Sequence, residues 1–501
     1  MSTNFSTRKS VLYGAIVTVS LLTFFELIAR VAEFTREPSE LVRKIEASKQ
    51  IDSFRIFVYG GSTAEGQPTL KFGFVSQLEF WLRKIHPEKV LEIYNFAGAG
   101  RTSAYARRKV EESISHEPDL LIILSGHNEF LYRSTESVPN KIVASFALTR
   151  SLARKLGRMR LSLSPDSTPG PNYQAYGRNS SLFKEKVRAY SDNLAHIVQT
   201  AQNHNTPILL VTAPSNVSDW PPAYRRIANN VHEDERESWV LEVENLLADR
   251  FSDAAITTIH KRLATFPDDP LLFYLLANSY VAAGDYDQAR SLYVKAKDLD
   301  PIPWRALTEF NHFMRDLAEL DGVFLADAEN SFEQNANHGL VGFSLVADNC
   351  HPTPLGNAII ARDILTVMKR QRLFIENDRE ITDAAISLEY FLSQTTTPDT
   401  RRQLELALIL KTAKYSMKTP FHNYKTSRMY LERALAIDSS KWEIWVNLAT
   451  LAFLENRIDE GRGQLRKAIQ LRGAPIDEHD RLHAPYLKEA LEQSGVNLAE
   501  L

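Results

Sequence analysis

Five short runs rich in β-branched and aromatic residues, held apart by long helical patterns, leave this chain few architectures. The runs fall at Arg55–Tyr59, Val90–Asn95, Leu120–Ser125, Pro207–Thr212 and Val323–Asp327. Helical patterns occupy Leu70–Lys84, Ser103–His116, Leu182–Asn203 and Leu355–Lys369. Strands that alternate with helices of this length predict an α/β fold, a parallel five-stranded sheet with helices on both faces. In such sheets, ligands and chemistry gather beyond the carboxyl ends of the strands.

The first run stops at Gly60-Gly61, and Ser62 follows at once. Two glycines let the backbone turn tightly, which pushes the Ser62 hydroxyl out at the strand's C-terminal end. Gly60 to Gly66 is not a phosphate-binding loop, because no Lys-Ser/Thr pair closes it.

Composition narrows the class of protein. The chain has 501 residues, enough for more than one domain, with 44% apolar and 24% charged residues, the balance of an ordinary globular protein. A net charge of −3 gives no general reason to expect nucleic acid as a partner. The single cysteine, Cys350, rules out an intramolecular disulfide and a cysteine-based metal cluster. The histidines show no ligand-like spacing, so neither a metal site nor a cofactor is expected.

Val11 to Ala29 carries one charge, Glu26, and is long enough to span a hydrocarbon core of roughly 30 Å. Arg8 and Lys9 precede it, which favours a cytoplasmic N-terminus and a body on the far side. The rival is a cleaved signal peptide. Ala29-Arg30-Val31-Ala32 puts arginine where a cleavage site wants a small residue, so an uncleaved transmembrane helix over 10–32 is the expectation.

Between the third and fourth runs, 139–181 is irregular. Its first part alternates Lys141, Arg150, Arg154, Lys155, Arg158 and Arg160 with apolar residues, a pattern for a basic amphipathic helix. Such a helix can lie on an anionic membrane, cover the rim of a site or pack on a repeat. Between the fourth and fifth runs, Phe273, Leu276, Ala277, Tyr280, Ala289, Tyr293, Ala296 and Pro301 follow the tetratricopeptide template of about 34 residues. A weaker copy one period earlier shows Ala255, Ile259 and Pro267. Near the C-terminus, Leu431-Glu432-Arg433-Ala434 and Leu465-Arg466-Lys467-Ala468 lie one period apart, and 401–470 reads as two degenerate helix pairs. A short repeat array cannot bury its own faces, so these helices should stack on each other or on the α/β body.

Three further fragments directly follow strands or precede the last helix: Asn95-Phe96-Ala97-Gly98-Ala99-Gly100, Ser125-Gly126-His127-Asn128-Glu129 and Asp348-Asn349-Cys350-His351-Pro352. With Gly60-Gly61-Ser62 they resemble, in order, the four sequence blocks of the SGNH, or GDSL, hydrolase superfamily. The resemblance runs from Phe54 to Arg370 with the repeats left out. It implies a flavodoxin-like sheet, Ser62 as nucleophile, and Asp348 and His351 as its partners. It also implies an oxyanion hole from Ser62, Gly100 and Asn128. Repeats attached to such a body behind an N-terminal anchor further resemble a bacterial envelope subgroup.

The chemistry fits these residue types. A serine hydroxyl is a poor nucleophile until a base takes its proton, the task of His351. Asp348, three residues earlier, can fix the imidazole tautomer and favour the imidazolium. Two positions depart from the family pattern. Gly61 stands where aspartate is common, which puts the hydrogen bonding of the nucleophile loop in question. Glu129 stands where aspartate is commoner, a change that suits a structural role. His127 is read as structural, Cys350 as packing, and Trp220 as either lining the pocket or ending the strand.

These readings divide the chain into an anchor (10–32), a hydrolase body in two parts (53–232 and 304–372), inserted repeats (236–303) and C-terminal repeats (400–501). The expected function is hydrolysis of a carboxylic ester, in a glycan or a lipid, on the periplasmic or extracytoplasmic side of the membrane. O-acetyl groups of an envelope or secreted polysaccharide are the favoured substrate, and the repeats would dock a protein partner. An acyltransferase using the same three residues, and a non-catalytic repeat scaffold, are the alternatives.

Overall fold

The computed structural model describes residues 21, 23–25, 45, 49–50, 52–131, 175–223, 233–375, 387–417, 423–480 and 482–498. Nearly all of them belong to one compact unit, Ala47–Leu131 with Tyr173–Leu501. Of the expected anchor over 10–32, only Leu21 and 23–25 are described, in helical conformation, and the basic segment around Lys141 to Arg160 lies outside the described residues. Among the described residues no helix is long and apolar enough to cross a membrane.

All five predicted strands form: β1 (Ser53–Gly60), β2 (Val90–Asn95), β3 (Leu120–Leu124), β4 (Ile208–Val211) and β5 (Val323–Ala326). They make one parallel sheet in the order β2-β1-β3-β4-β5. β3 is buried along its whole length, which accounts for its unbroken apolar run, Leu120 to Leu124. Along β1 the side chains alternate between two helical layers. Ile56 and Val58 join the core of helices α2 (Phe74–Ile85) and α11 (Pro354–Arg370). Tyr59 points the other way and bonds Ser113 at 2.6 Å, at the end of α3 (Ser103–Ser113). On that second face α4 (Ser181–Asn203) meets α9 (Thr308–Leu317) through the stacked rings of Tyr190 and Phe310, 4.0 Å apart.

The helix expected over Leu70–Lys84 is broken. Gly73 adopts extended backbone (φ −60°, ψ 153°) and separates a 3₁₀ turn at Leu70–Phe72 from α2. A Cβ on Gly73 would lie 2.6 Å from the Gly66 Cα, so the loop that follows Ser62 packs where any other residue would intrude. Likewise α3 stops at Ser113 and a 3₁₀ turn completes the span to His116.

The insert between β4 and β5 holds α5 (Glu233–Ala248), α6 (Ser252–Leu263), α7 (Pro270–Ala283) and α8 (Tyr286–Leu299). Asp269 caps the start of α7 and Gly284 ends it in left-handed conformation (φ 85°), so the hairpin into α8 is written in local sequence. Ala277 and Ala289 are fully buried, the small residues that let these two helices close up. A short helix, α10 (Ala328–Asn335), follows β5 before α11. The C-terminal region holds α12 (Leu388–Thr395), then the pairs α13 (Pro398–Met417) with α14 (Tyr424–Ile437) and α15 (Trp442–Leu454) with α16 (Ile458–Arg472), and last α17 (Leu487–Ser494). Leu431, Ala434, Leu465 and Ala468, the residues of the repeated motif, are all completely buried between them.

Candidate active site

β1 lies between β2 and β3, so the chain leaves it first in one direction and then in the other. The crevice at such a reversal is where ligands bind in open α/β sheets. Gly60 pairs with Leu124, which brings Ser62 and the Gly126–Asn128 loop out beside each other. Gly60 has φ 153°, and a Cβ there would stand 1.9 Å from the Leu124 carbonyl oxygen. Only glycine allows this approach. Ser62 then opens a single helical turn, α1 (Ser62–Glu65), closed by the Gly66 N–H donating to the Ser62 and Thr63 carbonyls.

Three side chains from distant parts of the chain form a continuous hydrogen-bonded line. The Ser62 hydroxyl and His351 Nε2 share a hydrogen bond of 2.8 Å, and His351 Nδ1 donates to Asp348 Oδ2 at 2.7 Å. The other Asp348 oxygen accepts the backbone N–H groups of Cys350 at 3.0 Å and His351 at 2.8 Å. The aspartate therefore builds the turn that aims the imidazole. Further bonds hold that loop: Thr63 to the Cys350 carbonyl at 3.3 Å, Asn349 to the Trp304 carbonyl at 2.8 Å, and the Asn216 N–H to the Asn349 carbonyl at 3.1 Å.

Burial alone would depress His351, but the charge and hydrogen bond of Asp348 outweigh it and raise its pKa well above the ordinary value. Asp348 is fully buried, which would raise it, yet His351 and the two N–H groups hold it below the usual carboxylate range. Burial pushes the neighbouring Cys350 thiol up, so it stays protonated 4.0 Å from His351 Nδ1. Asp348, Cys350 and His351 offer donor atoms within 4.8 Å of one another, a spacing that could also hold a metal ion. Here Asp348 Oδ2 is engaged by the His351 imidazole and Oδ1 by the backbone N–H groups of Cys350 and His351.

The loops after β2 and β3 bring Gly100 and Asn128 to the same edge. Asn128 Nδ2 donates to the Arg101 carbonyl at 2.9 Å, which uses one of its two hydrogens. A Cβ on Gly61 would come within 2.5 Å of that same nitrogen. A side chain at position 61 would therefore displace Asn128 from where it stands here. Glu129 follows Asn128 in the same loop. Its carboxylate accepts from the Ser103 N–H and hydroxyl, both at 2.8 Å, and so binds the β3 loop to the first turn of α3. Burial raises its pKa although these bonds oppose the rise.

His127 is buried, and its Nδ1 accepts the Ala306 N–H at 3.0 Å. Burial, with His351 and Lys297 nearby, lowers its pKa to about 3. It is neutral, with its proton on Nε2. Trp220 does more than end a strand. It is buried with Ala223, Ile302 and Trp304, and its backbone carbonyl accepts from the buried Arg305 at 2.8 Å. One contact has no counterpart in the sequence motifs: the Tyr415 ring of α13 stands edge-on to the His351 imidazole, centroids 6.1 Å apart.

Residues 272–303 match the Tetratricopeptide repeat family. No curated protein matches the chain by sequence. Solved structures with overlapping folds include a protein described as a GDSL-like lipase from Parabacteroides merdae, 14% identical, covering 65% of this chain and 98% of its own, with a TM-score of 0.31. A catalytic mutant of an acetylxylan esterase from Geobacillus stearothermophilus is 13% identical and covers 67% of this chain and all of its own (100%), with a TM-score of 0.32. A protein described as an acylhydrolase from Bacteroides fragilis is 11% identical, covers 66% and 94%, and has a TM-score of 0.32. The structural neighbours of this chain are thus GDSL-like lipases and esterases, and it carries a tetratricopeptide repeat. At such distances the chemistry has to be argued from the site itself.

Proposed function

We propose that the protein is a serine hydrolase that cleaves a carboxylic ester through an acyl-Ser62 intermediate. The observation that carries this reading is the 2.8 Å bond between Ser62 Oγ and His351 Nε2, with Asp348 on the far nitrogen. As Ser62 attacks the ester carbonyl carbon, its proton passes to His351 Nε2. The carbonyl π electrons move onto oxygen, where the Ser62 and Gly100 N–H groups and the second hydrogen of Asn128 Nδ2 would receive the charge. Collapse breaks the bond to the alcohol oxygen, which leaves with the proton from His351. Water then attacks acyl-Ser62 by the same route and releases the acid and the free serine.

The family resemblance favours an O-acetyl ester of an envelope or secreted polysaccharide. The basic flank and apolar run over 10–32 favour attachment to the membrane with the body outside the cytoplasm. The test is acetate release from acetylated glycans by the full-length chain, followed through membrane and soluble fractions. The activity should sediment with membranes, and Ser62→Ala should release no acetate while keeping the wild-type circular dichroism. Undiminished release by Ser62→Ala would remove the nucleophile assignment. Activity in the soluble fraction alone would remove the anchor.

A further inference from the structure

Helix α13 belongs to the C-terminal repeats, yet it reaches the loops that carry the nucleophile and the base. Lys411 Nζ donates to the Gln67 side-chain carbonyl and to the Pro68 carbonyl, just beyond the turn that Ser62 opens. One helical turn later the Tyr415 ring packs edge-on against His351, at an interplanar angle of 81°. The same ring lies 6.3 Å from that of Trp220. From α14, the Tyr430 hydroxyl donates to the carbonyl of Ala347, the residue before Asp348, at 2.9 Å. The repeats are fastened on both sides of the Ser62–His351 line.

We infer that α13 forms the alcohol-side wall of the active site, with Tyr415 as the residue that selects the sugar alcohol of the proposed substrate. The inference rests on the ester-hydrolase reading and names the residue that recognises the alcohol half of its substrate. In an acyl-serine mechanism the alcohol oxygen must lie within hydrogen-bond reach of the base as it leaves. The acyl oxygen instead turns toward Gly100 and Asn128, which come from the loops after β2 and β3. A ring packed on the imidazole therefore meets the alcohol half of the ester. Tyr415 is partly buried against Trp220 without being fully enclosed. An aromatic ring with a polar tip suits a pyranose, which offers an apolar C–H face and a rim of hydroxyls. Lys411 fixes the helix to the nucleophile loop, which keeps that wall in place.

The experiment compares two ratios of kcat/KM in the full-length chain. One sets an acetylated methyl xyloside against ethyl acetate, with the same acyl group and different alcohols. The other sets p-nitrophenyl acetate against p-nitrophenyl butyrate, with the same alcohol and different acyl groups. Tyr415→Ala should lower the first ratio about tenfold and leave the second as in the wild type. Tyr415→Leu, which retains more of the buried volume, should lower it in the same direction, and Tyr415→Phe should restore most of it. An unchanged alcohol ratio in both the alanine and leucine variants would overturn the inference, as would a shift in the acyl ratio alone. A wild-type chain that prefers ethyl acetate or a glycerol ester to the sugar ester would overturn the choice of sugar. If the wild type hydrolyses none of these esters and Ser62 resists a fluorophosphonate, the enzyme reading itself falls.

Discussion

The two helical regions of this molecule are built on similar lines and sit differently with respect to the chemistry. The inserted hairpin, α7 with α8, carries the legible repeat signature, the one that matches the Tetratricopeptide repeat family over 272–303. Two of its links to the body end on residues outside the Ser62–His351–Asp348 line. Tyr274 donates to the Ser218 carbonyl at 2.7 Å, and Lys297 donates to the Ala306 carbonyl at 2.7 Å. The C-terminal pairs have a more degenerate sequence, yet Tyr415 touches His351 and Tyr430 holds Ala347. Strength of motif and nearness to the site are therefore independent here. A repeat signature reports how two helices pack on each other, which small residues at Ala277 and Ala289 dictate. It carries no information about what the outer faces of the pair touch.

Three substitutions bear on that contrast. Asp348→Asn sets the scale for a change inside the Ser62–His351–Asp348 line: on the proposed mechanism kcat should fall by about ten-thousandfold with both helical regions intact. The same variant gives a sign for pH dependence. His351 acts as a base only when neutral, and Asp348 raises its pKa, so the wild-type rate should climb with pH through a value above the ordinary histidine range. Removing the negative charge should move that limb to lower pH. An acid limb that stays in place in Asp348→Asn would show that another group controls it.

The other two form a matched pair, each removing one hydroxyl that donates to a backbone carbonyl of the body. Tyr430→Phe should lower kcat about tenfold, because the carbonyl it releases belongs to the loop that positions Asp348 and His351. Tyr274→Phe should leave kcat within about twofold and lower stability by about 1 kcal/mol, the usual worth of such a bond. Steady-state rates and denaturant melts on both variants decide the matter. Equal effects on kcat would erase the distinction between the two helical regions.

The strands and the loops that follow them were legible in the chain because both obey local rules. A run such as Leu120 to Leu124, apolar at every position, suits only a strand covered on both faces. Parallel pairing then sends every strand's C-terminal loop to one edge, so Ser62, Gly100 and Asn128 needed no long-range information to be placed together. The turn at Asp348 to His351 is similarly local, since the aspartate accepts the N–H groups of its own turn. Other features depend on distances that no short window of sequence holds. Gly61 is explained by Asn128, a residue 67 positions later whose amide fills the space a side chain would take. Glu129 is explained by Ser103, across a separation of 26 residues. Tyr415 reaches His351 only through the docking of helices whose periodicity fixes their mutual packing and leaves their seat on the body undetermined. The break at Gly73 has a cause of the same kind, the close approach of Gly66.

The central claim is that His351 activates Ser62, and covalent labelling tests it most directly. A fluorophosphonate probe incubated with the full-length chain should attach one phosphonyl group to Ser62, located by peptide mass spectrometry, and His351→Ala should slow that labelling by orders of magnitude. Labelling that proceeds at the wild-type rate in His351→Ala, or that falls on a residue other than Ser62, would contradict the account.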